Sequence, residues 1–355
     1  TAYLSDSVAY GQTCSTQTRS CSNGTLSGTY ANSSCSVAAA ASCSFNGQTV
    51  VHGSNVTAYQ AASVAYGTSC SSENRICSNG TLSGSHNHGA CEVENWTQQI
   101  GTSGFEDGRA ITTDISGNVY VTGYTTGELD NNTNAGGYDL FVIKYNNNGA
   151  KQWTQQLGTS DWEQGLGINC DPLGNVYVTG YTMGGLDGNI NAEGGYCGNQ
   201  NCIKNSGFGL SMLPDVFIVK FESNGLKQWT KQFGTSSYDS GNGITSDSSG
   251  NVYVTGHTGG GLEGYTYAGN YGGSDFFLVK YHSSGTKHWT KQLGFSEGKG
   301  ISTDSDGNVF VTGSTWVGLD GNTSAGGTDL FVVKYNSSGV KQWTKQLGTS
   351  SNDSG

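Results

Sequence analysis

DISGNVYVTG at Asp114–Gly123 returns as DPLGNVYVTG at Asp171–Gly180, DSSGNVYVTG at Asp247–Gly256 and DSDGNVFVTG at Asp304–Gly313. An Asp followed three residues later by Gly is the preference of a type I turn, the Asp side chain bonding backbone two residues on. The Val-x-Val-Thr that follows alternates as a β-strand does. This ten-residue string therefore reads as a turn feeding a strand, made four times.

Outward from it, each copy is preceded by W-T-x-Q, an apolar residue and Gly, starting at Trp96, Trp153, Trp229, Trp289 and Trp343. Each is followed by D-x-F-x-x-K-[YF], ending at Tyr145, Phe221, Tyr281 and Tyr335. The tryptophans stand 57, 76, 60 and 54 residues apart, so the second unit carries an insertion, which holds Cys197, Cys202 and Pro214. Four short β runs per unit, separated by Gly-rich turns, is the signature of a propeller blade. Counted from the tryptophans, the blades run Trp96–Lys151, Trp153–Lys227, Trp229–Lys287 and Trp289–Lys341, with a fifth begun at Trp343. A fifth Trp strand for four blades leaves one surplus. It closes a larger ring, or it is donated to a neighbouring subunit to build a fibre.

Composition agrees with an all-β chain. The 355 residues include 57 Gly and 2 Pro, with 12% charged residues. Val, Ile, Thr and aromatics are bounded by Gly, Asn and Ser clusters. A formal net charge of −11 excludes binding driven by counterion release from nucleic acid. No apolar run approaches the ~20 residues of a membrane span.

D-x-x-G-N-V-Y-V-T-G, then G-G-x-D-x-F-V-x-K-Y, then K-x-W-T, is similar to the bacterial β-propeller repeat family called SBBP, over residues 95–355. The resemblance implies blade architecture and an extracellular bacterial setting, and it brings no catalytic residues.

Residues 1–94 hold a second repeat. TAYLSDSVAYGQTC…RSCSNGTLSG…C, Thr1–Cys35, recurs at Thr57–Cys91. The expected modules are 1–36, incomplete at its start, and 43–94. Ten cysteines, seven of them before residue 92, point to an oxidising compartment. Asn79-Gly80 is a hairpin signal; folding there brings Cys70 near Cys91 and leaves Cys43 for Cys77. By repetition Cys14 pairs with Cys35, and Cys21 is left unpaired. Cys197 and Cys202 can close the insertion, and Cys170 is a free buried thiol.

Several residue sets are candidates for chemistry. Asp304 and Asp306 resemble the start of a calcium loop, but the downstream bidentate carboxylate is missing and turn chemistry is preferred. Asp130, Asp187, Glu263 and Asp320, with Asp139, Asp215, Asp275 and Asp329, sit in long loops; they serve as Ca²⁺ ligands or as turn caps. His86, His88 and Cys91 form an H-x-H-x-x-C cluster, yet the histidines do not recur and the cysteine does. The recurring Trp residues pack between blades. The recurring Lys144, Lys220, Lys280 and Lys334 snorkel from a blade surface. Trp162 and Trp316, outside the repeat pattern, are the candidate ligand-contact aromatics. Asn23, Asn32, Asn55, Asn79, Asn95, Asn131, Asn322, Asn336 and Asn352 head glycosylation sequons.

No paired acid and base stands out, and the six His residues lie at unrelated repeat positions. The reading is a non-enzymatic extracellular structural or adhesive protein without a required cofactor, partnered by copies of itself, other surface proteins or glycans. The alternatives are a carbohydrate-binding lectin and, behind it, a propeller glycosidase or lyase.

Overall fold

The structure, a computed structural model, describes residues 1–192, 213–268 and 273–353. It divides into two units, Thr1–Thr97 and Gln98–Gly355. Among the described residues no helix is long and apolar enough to cross a membrane.

The first unit has little apolar interior. Its cluster is Cys43, Phe45, Val50, Ala58 and Cys77, so covalent staples take over what a core would do. Cys14 is bonded to Cys35, Cys43 to Cys77 and Cys70 to Cys91. The Asn79-Gly80 turn pairs Ser78 with Thr81 and Cys77 with Leu82. Both copies repeat one arginine device: Arg19 donates to the carbonyls of Ser27 and Tyr30, and Arg75 to those of Ser83 and His86. Cys21, the counterpart of Cys77, is free and exposed.

The second unit contains four antiparallel four-stranded sheets, each meandering in chain order. They span Glu106–Leu157, Glu163–Phe233, Asp239–Leu293 and Ser296–Leu347. First strands of successive sheets adjoin one another, which makes them the inner strands of propeller blades. The tryptophan strand is the fourth and outer strand, because W-T-x-Q pairs back onto D-x-F-x-x-K (Lys144 opposite Trp153, Lys220 opposite Trp229). The sequence period and the sheet are therefore out of phase. The strand at Trp343 completes the fourth blade rather than opening a fifth, and Trp96 lies in no sheet of the described residues. Each sheet thus has its own fourth strand.

The cores lie between blades. Tyr120, Leu140 and Val142 of the first pack on Val176, Val178, Phe217 and Phe221 of the second. The same pattern joins the second to the third and the third to the fourth. Central strands such as Asp215–Phe221 are buried on both faces, hence their nearly unbroken apolar run.

The recurring polar residues fasten this stack. Asp114 Oδ1 accepts the amides of Ser116 and Asn118 at 2.9 and 3.0 Å. Its Oδ2 accepts Asn118 Nδ2 and the Tyr120 hydroxyl at 2.7 and 3.0 Å. Asp171 and Asp247 repeat all four bonds. In the fourth blade Phe310 replaces the tyrosine, and Asp304 keeps the bonds from the Asp306 amide and from Asn308. These aspartates are turn anchors with their acceptor sites filled.

Three of the four recurring lysines, Lys144, Lys220 and Lys280, are tied to the next blade, while Lys334 lies over Phe310. Lys144 Nζ and Trp153 Nε1 both donate to the Ser223 carbonyl of the next blade, at 2.8 and 3.1 Å. Lys220 and Trp229 do the same to Ser283, at 3.0 and 3.2 Å. Lys280 reaches Ser337 at 3.0 Å. Each lysine also lies over an aromatic ring of its own blade, 5.0–5.4 Å from Tyr120, Tyr177 or Tyr253. The turn that offers the carbonyl ends in a left-handed glycine against which the Trp ring lies. A methyl on Gly225 would stand 2.9 Å from Trp153 Cδ2.

Trp343 has no such turn to meet among the described residues and is 40% exposed. Trp229→Ala is expected to cost about 2 kcal/mol, the low side for aromatic truncation because the ring is half-buried. Trp343→Ala should cost under about 1 kcal/mol. Urea unfolding midpoints check the contrast, and equal losses would contradict the lock.

Candidate functional site

Four of the loop carboxylates offered as calcium ligands are already engaged, whereas Asp139 and Asp329 accept Gln156 and Gln346 on Oδ2 and keep a buried Oδ1 without a hydrogen-bond partner. Asp130 accepts Lys151 Nζ and Thr154 Oγ1, Asp187 accepts Lys227 and Thr230, and Asp320 accepts Lys341 and Thr344. Glu263 receives Lys287 and Thr290 in the same way. Each sits in the left-handed region, φ 50–54°. Burial opposes their ionisation, but these bonds hold Asp130 and Asp320 below the usual carboxylate range. The set clamps the loop after the second strand to the outer strand. Among the described residues no three His, Cys, Asp or Glu side chains gather into a metal-binding group. Cys91 of the H-x-H-x-x-C cluster is in a disulfide, and His86 lies 3.5 Å from Glu73.

Cys170 is free and half-buried, and burial pushes its thiol up to about 12. The Cys197–Cys202 bridge falls outside the described residues. Of the sequon asparagines, Asn32 and Asn322 already spend Nδ2 on backbone carbonyls.

Trp162 and Trp316 lead to a feature that residue identity hides. Trp162 immediately precedes the first strand of its blade. The equivalent residues are Phe105, Tyr238 and Phe295, so the position is aromatic in all four blades. Trp162 therefore recurs as a residue class, which corrects its reading as outside the repeat. Each of these carbonyls accepts the amide just past the second strand: Thr126, Met183, Gly259 and Trp316. Trp316 thus stands beside Phe295. Phe105, Trp162, Tyr238 and Trp316 are 54, 47, 42 and 42% exposed, and together they form an aromatic rim at one end of the blades.

The longest run of rings spans the first two blades. Centroids are 6.0 Å apart for Phe105–Tyr124, 4.9 Å for Tyr124–Tyr138 and 5.0 Å for Tyr138–Trp162. Trp162 rests on Gly137, where a methyl would stand 2.2 Å from Cδ1. Arg109 lies 5.3 Å over Tyr124, donates to its hydroxyl at 3.0 Å and meets Asp107 at 3.0 Å. Every inner strand breaks register here, between Gly108 and Ala110 and at the three equivalent places. A bulge re-aims the extra residue, and that residue differs in each blade: Arg109, Leu166, Asn242 and Lys299.

The rim loops are anchored by a motif missed in the sequence, G-T-S-x-[FWY]-[DE] at 101–106, 158–163 and 234–239. The final acid accepts the threonine amide and hydroxyl, as Glu163 does from Thr159 at 2.6 and 2.8 Å. Glu163 also takes the Thr182 hydroxyl at 2.6 Å. Repetition of Gly-Thr-Ser before an aromatic-acid pair was the available signal.

The comparisons with known proteins agree with the blade geometry. The SBBP β-propeller repeat profile matches residues 95–130, 152–187, 228–263 and 288–320. Residues 95–320 belong to the SBBP β-propeller repeat family. An uncharacterized WD repeat-containing protein, L264 of Acanthamoeba polyphaga mimivirus, is 27% identical over 72% of the chain and 23% of its own length. The regulatory protein FlaEY of Caulobacter vibrioides is 24% identical over 58% of the chain and 21% of its own. The SBBP chain therefore spans under a quarter of these curated relatives. A luciferin-regenerating enzyme overlaps 68% of the chain and 60% of its own at a TM-score of 0.30 and 11% identity, too low to bear on function.

Burial pushes Asp239 up to about 6 against the bonds from Thr258 and Thr235, with Asp215 adding to the rise. An unfolded aspartate titrates near about 4. The native chain therefore holds this proton more tightly, a contribution present below about pH 4 and lost as pH rises through about 6. The stability of Asp239→Asn relative to the parent should climb between those values and level above them. A pH-independent difference in thermal unfolding would contradict the assignment.

Proposed function

We propose that this chain is an extracellular, non-enzymatic adhesive module. The blades are its rigid platform and the aromatic rim its contact surface. The observation that carries the reading is the division of labour among side chains. Most of the recurring Asp, Lys, Trp and Gln residues are spent on the fold. Large aromatics stand half out of water at the same place in the first three blades and, as Trp316, beside that place in the fourth. Exposed apolar area held on a fixed backbone marks interaction surfaces.

The three disulfides fit an oxidising environment, and secretion to a cell surface is the reading we adopt. Fibre assembly by strand donation is not part of this proposal. Trp96 is in no sheet of the described residues, and every blade has a fourth strand of its own.

Beads coated with the oxidised chain should attach to whole microbial or animal cells. Beads coated with a Phe105→Ala, Trp162→Ala, Tyr238→Ala, Trp316→Ala variant of unchanged circular dichroism should not. Attachment no better than albumin-coated beads, or equal attachment by the variant, would overturn the reading.

A further inference from the structure

We infer that the rim between the first and second blades is a carbohydrate site that takes a single neutral pyranose chain on the Phe105, Tyr138 and Trp162 rings. This rests on the adhesive reading above and names its ligand class. Phe105 and Tyr138 pack on the buried ring of Tyr124 between them.

The stretch differs from the rest of the rim in continuity. The residue before the third strand is Tyr138 in the first blade but Pro214, Ser274 and Thr328 in the others. Tyr138 closes the gap between Tyr124 and Trp162, and its carbonyl takes the Glu163 amide at 2.6 Å. Trp162 is held against Gly137 at Cδ1 and Nε1 and still leaves 47% of its surface to solvent. An indole so held and half exposed is what the C–H face of a sugar ring stacks against.

The tilts select the ligand's shape. Successive rings are turned by 31°, 60° and 54°, so the platform is twisted. A flat crystalline polysaccharide face would touch only part of it, whereas one soluble chain can follow the turn.

Polar groups select neutrality and supply hydrogen bonds. Asp107, Arg109 and the Tyr124 hydroxyl form a closed set at 3.0–3.1 Å. Its charges cancel, while outer lone pairs and N–H groups are left for sugar hydroxyls. Arg109 is exposed and stands on the bulge that turns it out of the ladder register.

The test titrates the oxidised chain with cellohexaose, chitohexaose and mannohexaose, read by tryptophan fluorescence and calorimetry. At least one should bind, and Trp162→Ala and Tyr138→Ala should each weaken it by about tenfold or more. Trp162→Phe should retain most of the affinity, and Leu173→Ala, at an exposed turn outside the rim, all of it. Phe105→Ala, which lies outside the Tyr138–Trp162 backbone bridge, guards against misfolding of the Trp162 variant. The bound hexaose should release coated beads from cells. Beads that adhere but are not released, or affinity indifferent to Trp162, Tyr138 and Phe105 together, overturn this inference alone. Beads that never adhere overturn the parent reading.

Discussion

The Ser223 carbonyl oxygen receives two donors from the preceding blade, Lys144 and Trp153, and the Ser283 carbonyl receives Lys220 and Trp229. Backbone bonds between blades stand where the first strands begin, from Glu163 to Tyr138, Asp239 to Pro214 and Ser296 to Ser274, so at the other end of the third strand the register is set by side chains. A charge-assisted bond to a turn carbonyl does this at a defined point, with the lysine held over an aromatic ring and the indole seated on the turn glycine. Most of the repeat follows from that one contact. The turn must offer a carbonyl and a left-handed glycine, the third strand a lysine, the fourth a tryptophan opposite it, and the second an aromatic beneath. The interblade apolar clusters then bury what the lock aligns.

The sequence showed this architecture because identical physical demands recur at a fixed period. The Asp-x-x-Gly-Asn turn, the four-stranded blade and the apolar strands could all be read from it. The phase could not: the fifth blade counted from Trp343 is the last strand of the fourth. Nothing in the string says whether W-T-x-Q begins a sheet or ends one; that depends on its pairing with D-x-F-x-x-K. The lysines were misjudged because their partners lie on the next blade, 57 to 79 residues away. The rim was half seen: Trp162 drew notice as an oddity, while Phe105, Tyr238 and Phe295 escaped because the class repeats and the residue does not. Cys197 and Cys202 lie outside the described residues.

The two kinds of repetition separate fold from function. Asp114, Lys144, Trp153 and Gln156, which return in identity from blade to blade, are bonded inside the protein. Where only a property returns, as at the rim aromatics Phe105, Trp162 and Tyr238, or where the residue changes from blade to blade, as at the bulge residues Arg109 and Lys299, the side chain is exposed. Buried polar bonds tolerate little substitution, whereas a contact surface can be varied without touching the stack.

The most direct measurement of this separation is a saturation substitution scan of residues 98–353, scored in one library for folded yield and for cell attachment. The account predicts that substitutions at Lys144, Trp153, Lys220, Trp229 and the turn glycines lower both scores together. Those at Phe105, Tyr138, Trp162, Tyr238 and Trp316 should lower attachment alone. Attachment that follows folded yield at every position would contradict it.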